Sequence, residues 1–222
     1  MADLSFLLTR DYADKSALAL VGDRYQLTKR QRMLVLRASC PDQALPRRRA
    51  SSIALDQISG LPLFVDGLNI LITIECALMG AVVFKGRDGV IRDIAGVHGT
   101  FRKGKMTSRA VELMLNNLTR FHPEKIHIYL DAPVSNSGRL KHLIQTSAAS
   151  FEATVSVSLV MNPDQHLVDC QGVAVTSDAW ILDNTPRWTN LIDAMFDMKI
   201  FAPEALMSFH DPDAPDAPNP IA

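Results

Sequence analysis

Three aspartates stand at the ends of short apolar runs: Phe64-Val65-Asp66, Tyr129-Leu130-Asp131 and Thr176-Ser177-Asp178. Such runs read as buried strands. In an open parallel sheet their carboxyl ends share one edge, where ligands bind. Carboxylates gathered there repel one another and raise each other's pKa. A hard divalent ion, Mg²⁺ or Mn²⁺, relieves that repulsion because it takes oxygen ligands. Asp66, Asp131 and Asp178 are therefore the expected metal ligands. Asp183, five residues beyond Asp178, could join from the next turn. Glu75 is the one charge in an apolar helix running from Leu68 to Met79; it needs a partner to be buried, and the metal-centred cluster could supply one, with Glu75 or Asp183 as extra ligand or water-orienting base. The bland alternative is that each Asp merely caps the helix after its strand.

Two loops suit phosphate. Asn136-Ser137-Gly138-Arg139 opens a helix and offers amide, hydroxyl, backbone N–H and guanidinium donors. Gly99 to Met106 nearly spells GxxxxGK[ST], but Met106 stands where a hydroxyl is required, so it reads as a basic loop. HExxH, GxSxG and GxGxxG are absent, and the six histidines are scattered, His127 reading as structural. Aromatic residues are 6% of the chain, too few to predict a base-stacking platform.

The elements that must position these groups follow from pattern. Ala17, Leu18, Val21 and Tyr25 recur at helical spacing, and residues 3–40 read as helices. Thr28 with Gln31 is a capping box opening a helix over about 29–39. Lys29, Arg30 and Arg32 oppose that helix's dipole unless an anion is near, either an internal carboxylate or a phosphate. Residues 1–50 hold ten Lys/Arg against five Asp, net +5, on a chain of net −1, so Arg30, Arg32 and the run Arg47–Arg49 form a basic arm suited to an anionic partner. Residues 1–45 are expected to be a basic helical module and 46–61 a linker rich in turn residues.

From 62 to 205 strands and helices alternate. Strands are expected at 63–65, 126–130, 154–160 and 172–176, and a hairpin at 82–85 and 90–94. Helices are expected at 69–79, 108–120, 136–146 and 188–198. That order predicts an α/β domain with a mostly parallel central sheet. Residues 206–222, with four prolines and three aspartates from His210 onward, read as a disordered tail. The 222 residues include three widely spaced cysteines and no CxxC, which excludes a disulfide scaffold and suits a cytoplasmic setting. No stretch is long and apolar enough to span a membrane.

Val65-Asp66-Gly67-Leu68-Asn69 resembles the opening strand of PIN-like nucleases, especially their NYN branch, and Ser177-Asp178 with Asp183 resembles their late acidic motif. Over residues 18–185 the chain also resembles the uncharacterised domain-of-unknown-function family 434. The segments that match are Leu20 to Tyr25, Arg30-Gln31-Arg32, Val65 to Asn69 with Ile74-Glu75, Arg87-Asp88-Gly89 with Arg92-Asp93, and Asp131 to Arg139. The PIN-like resemblance implies a three-layer fold and a Mg²⁺- or Mn²⁺-dependent ribonuclease. Asn69, Asn136, Ser137 and Arg139 would then position phosphate, and Arg30 and Arg32 would hold the RNA backbone. The alternatives are a non-catalytic RNA-binding adaptor and a small-molecule phosphohydrolase or nucleotide-binding enzyme. A homodimer is compatible with either.

Overall fold

A computed structural model describes residues 1–95 and 106–208. The loop from Gly99 to Lys105 and the tail beyond Ser208 lie outside the described residues.

The N-terminal module is three helices, α1 (Ala2–Thr9), α2 (Asp14–Arg24) and α3 (Lys29–Ala38). They enclose a small core of Leu4, Ala17 and Val21, backed by Leu7, Leu8, Leu18, Val35 and Leu36. The capping box forms: the Gln31 N–H donates to Thr28 Oγ1, and Gln31 Oε1 accepts from the Thr28 N–H. Of the residues at helical spacing, Ala17 and Val21 are buried and Tyr25 is exposed.

The expected linker is largely ordered structure. Helix α4 (Ala44–Ser51) takes up its first residues, including Arg47–Arg49, with Pro46 in its first turn. Proline is tolerated there because those N–H groups have no intrahelical acceptor. Arg48 of this helix is buried.

The main sheet contains β1 (Pro62–Asp66), β4 (Lys125–Asp131), β5 (Val155–Val160), β6 (Val173–Val175) and β7 (Trp188–Thr189). Their order is β5-β4-β1-β6-β7, and every pairing is parallel. The chain moves outward from β1 through β4 to β5, then returns to the other side of β1. The sheet thus switches direction between β1 and β6, the place where doubly wound sheets bind ligands.

Alternation sorts the strand residues between two faces. Leu63, Val65, Ile126, Ile128, Leu130, Val157, Val173 and Val175 join the main core. Helices α5 (Gly67–Leu78), α6 (Thr107–Thr119), α7 (Ser137–Ala148) and α10 (Leu191–Asp197) supply most of the rest, with Leu55, Ile58, Val83, Ile91 and Phe201. On the other face Phe64, Tyr129, Ala174 and Trp188 meet α8 (Pro163–Val168) and α9 (Ala179–Asn184) through Leu167, Ile181 and Leu182. The result is α/β with helices on both faces. The two short helices α8 and α9 stand in segments to which the sequence pattern assigns no element, since six residues are too few to show a helical period.

The hairpin forms from β2 (Val83–Lys85) and β3 (Ile91–Asp93). It gains β8 (Leu206–Ser208), parallel to β2, so the start of the expected disordered tail is a strand. The helix expected over 188–198 is shorter: Trp188 and Thr189 extend the sheet, and Asn190 caps α10 through Asp193 N–H.

Candidate functional site

The β1–α5 junction is built for close approach. A Cβ on Gly67 would stand 2.8 Å from the Tyr129 carbonyl oxygen and 2.7 Å from the Ile128 and Leu130 side chains. Glycine lets α5 begin hard against β4, and that places Asp66 at the sheet's carboxyl edge. Asn69, one turn into α5, accepts through Oδ1 from the Ser177 N–H at 3.0 Å and the Ser177 hydroxyl at 2.7 Å. It thereby pins the chain leaving β6 beside β1. Thr176 Oγ1 donates to Asp66 Oδ2 at 2.8 Å, and the Asp178 N–H donates to Thr176 Oγ1 at 3.1 Å.

Asp66 is 7% exposed. Burial pushes its carboxyl up to about 7; the Thr176 hydroxyl opposes this, and the charges of Asp178, Asp164 and Asp131 add to it. Asp164 is raised by burial and then by Asp178 and Asp131, and Asp131 by burial. Asp178, Asp164 and Asp131 thus act on Asp66 as nearby charges; Asp66 and Asp131 end their strands, whereas Asp178 lies three residues beyond β6, which ends at Val175. Asp178 also caps α9, its Oδ1 accepting from the Trp180 N–H at 2.8 Å and the Ile181 N–H at 3.2 Å. Among the described residues, no three His, Cys, Asp or Glu side chains are grouped closely enough to hold one ion.

The other candidates are placed elsewhere. Asp183 belongs to a buried ion network. Arg48 Nε and Nη2 donate to its two oxygens at 2.8 and 2.7 Å, and Arg47 approaches at 2.6 Å. Burial raises the Asp183 pKa, but these arginines outweigh it and the net shift is downward. Arg48 also donates to Asp88, which Arg92 grips with two bonds of 2.8 and 2.7 Å. Arg92 Nε then reaches the Ser177 carbonyl at 2.8 Å. Burial would raise the Asp88 carboxyl, but the paired arginines hold it down to about 2. Arg47 and Arg48 thus tie α4 to the hairpin and to α9, while Arg49 is exposed. Glu75 accepts from the Thr107 hydroxyl of α6, and the shift of its pKa, upward by burial, involves no member of the strand-edge group.

Arg32 is likewise occupied: its Nη2 donates to Asp23 at 2.7 Å and its Nε to the Leu27 carbonyl at 3.0 Å. The anion demanded by the basic start of α3 is thus an internal carboxylate. Arg30 is exposed on the same helix. Asn136 sits at φ 69° as the residue before α7, Ser137 is buried, and Arg139 is exposed. Because α7 follows β4, all three lie beyond Asp131 at the carboxyl edge. Arg139 lines a shallow groove with Gly138, His142, Leu143 and Thr146.

The sequence pattern missed two residue sets. Asp164 follows the end of β5 by four positions, and the rule that acids end strands, applied to a fourth strand, would have reached it. Asp88 and Arg92 are separated by four residues across a tight hairpin, a spacing that on its own names no partner.

Taken together, fold and site define an α/β domain with a doubly wound parallel sheet and an aspartate-lined carboxyl edge, preceded by a docked helical module. The chain belongs to the family described as Domain of unknown function (DUF5616), which its residues 55–194 match; residues 1–50 match Protein of unknown function (DUF434). The single resemblance read across residues 18–185 therefore divides into two family matches, meeting just after α4. The chain is 30% identical over 180 residues to an uncharacterised protein of Methanocaldococcus jannaschii, covering 81% of this chain and 86% of that protein. No solved structure matches. Among the described residues no helix is long and apolar enough to cross a membrane.

Proposed function

We propose that this protein is a metal-dependent phosphodiesterase acting on RNA, with a PIN-like catalytic core. The observation that carries the reading is the placement of Asp66 and Asp131 at the carboxyl ends of the neighbouring parallel strands β1 and β4, with Asp178 just beyond β6 across the switch point. The donor chemistry fits Mg²⁺ or Mn²⁺, because these three and Asp164 are all carboxylates and no sulfur or imidazole belongs to the group. Asp66, Asp131 and Asp178 would hold the ion, with Asp164 in place of Asp183 or Glu75 as the additional acid. A divalent ion bound there would supply charge neutralisation for the attacked phosphate. The chain's own contribution is positional. Asn69 and Thr176 fix the strand ends that carry the acids. Asn136, Ser137 and Arg139 present donors beyond Asp131, and Arg30 leaves a cation exposed on the arm. Fold-level analogy motivates the reaction class, and the residues supply the test.

The test is cleavage of labelled single-stranded RNA by the purified protein with Mg²⁺ or Mn²⁺. Asp66→Asn and Asp131→Asn should each lower the rate by ~100-fold or more with circular dichroism unchanged. Equal rates in wild type and variants would reject the reading. One observation favours a second reading, a non-catalytic RNA-binding adaptor: no three acids stand grouped for an ion among the described residues. RNA binding that is unaffected by both substitutions, without turnover in either metal, would select it.

A further inference from the structure

The two edges of the central sheet are treated differently. At one end β7 has two residues, and its outer side is closed by the Ser52–Trp188 bridge, with the Ile53 N–H donating to the Trp188 carbonyl at 2.8 Å. At the other end β5 is six residues long, Val-Ser-Val-Ser-Leu-Val, and among the described residues it pairs with β4 alone. Proteins commonly blunt such an edge with a charge, a proline, a bulge or a very short strand. Strand β5 carries none of these.

The ladder shows which backbone groups are left. The Ile126 N–H donates to the Thr154 carbonyl and the Ala132 N–H to the Val160 carbonyl, so the even-numbered residues of this strand face β4. Val155, Val157 and Leu159 consequently direct their N–H and C=O groups away from the sheet. Leu159 is 38% exposed, and Met161, the residue just past the strand, is 77% exposed.

We propose that β5 is a self-association edge, pairing antiparallel with β5 of a second copy of this chain to make one continuous ten-stranded sheet. Pairing centred on Val157 sets Val155 against Leu159 of the partner subunit. Each outward residue then exchanges both backbone groups, about six hydrogen bonds in all. Ser156 faces Ser158 across the seam, a pairing that hydroxyls stabilise. The register also keeps like charges apart: Glu152 falls opposite an asparagine, position 162, and Asp164 opposite a serine, position 150. Because the paired strands run oppositely, the two aspartate-lined edges would point in opposite directions, so each copy keeps a complete site and the inference is independent of the proposed activity.

The experiment is sedimentation equilibrium on the full chain over about 1 to 100 µM, with amide hydrogen exchange on the same samples. Wild type should sediment at twice the chain mass, with slow exchange at Val155, Val157 and Leu159. The double variant V155K/L159K should sediment at the single-chain mass with an unchanged circular dichroism spectrum and fast exchange at Val157. A wild-type monomer at ~100 µM would overturn the proposal, as would rapid exchange at these three amides in wild type or a Lys variant that stays dimeric.

Discussion

Arg48 lies at the centre of the arm–body junction, and removing its partner Asp88 is the sharpest probe of that junction. The side chains of Arg48, Asp88 and Arg92 are 5%, 2% and 3% exposed, so their charges are desolvated. Asp88→Ala leaves both guanidiniums without their shared carboxylate. Breaking a buried pair by deleting one member costs about 3–5 kcal/mol, and here two cations are orphaned, so the upper half of that range is expected. Arg48→Ala should cost less, about 3 kcal/mol, because Arg92 still holds Asp88 and Arg47 still holds Asp183. The effects should not add in the double variant, since both act on one network.

The pH dependence has a defined sign. With its folded pKa at about 2, below the unfolded value of 3.8, Asp88 contributes stability that is present above pH 4 and lost as pH falls toward 2. Fewer than two pKa units separate the states, which amounts to about 2 kcal/mol. Urea unfolding at pH 7 and at several values from pH 5 to 2 reads both quantities. A cost below ~1 kcal/mol for Asp88→Ala at pH 7, or the same acid slope in wild type and variant, would refute the assignment of this network as the clamp between arm and sheet.

Two further outcomes follow from the β1–α5 junction. Gly67→Ala should destabilise the protein by about 1–3 kcal/mol in thermal unfolding, because the added Cβ meets backbone at 2.8 Å. Asn69→Ala removes the acceptor for both Ser177 donors, one of them a backbone N–H. It should cost about 1–3 kcal/mol and, with the fold retained, also lower any metal-stimulated cleavage, since the chain leading to Asp178 is then unpinned.

Much of this architecture is local information. The hairpin at 83–93, the helices over 67–78, 107–119 and 137–148, and the strands that end in Asp66 and Asp131 all follow from alternation, helical period and turn residues. The Thr28–Gln31 cap is a four-residue signature and forms as written. What short-range pattern does not carry is pairing between distant charges. Asp178 and Asp183 are five positions apart, yet one faces the acidic edge and the other meets an arginine 135 residues away. Glu75 finds its partner 32 residues on, in a helix whose docking angle is set by the core between them.

The amino-acid order alone determined where strands end in acid and where glycine permits a helix to start against its neighbour, because those depend on a few adjacent residues. Only the tertiary structure decided which acids act as charges on Asp66, namely Asp178, Asp164 and Asp131, and which are neutralised by the arm. The cost of burying a charge is met by whatever the completed fold brings within hydrogen-bonding distance, and that is a property of the assembled layers rather than of any segment.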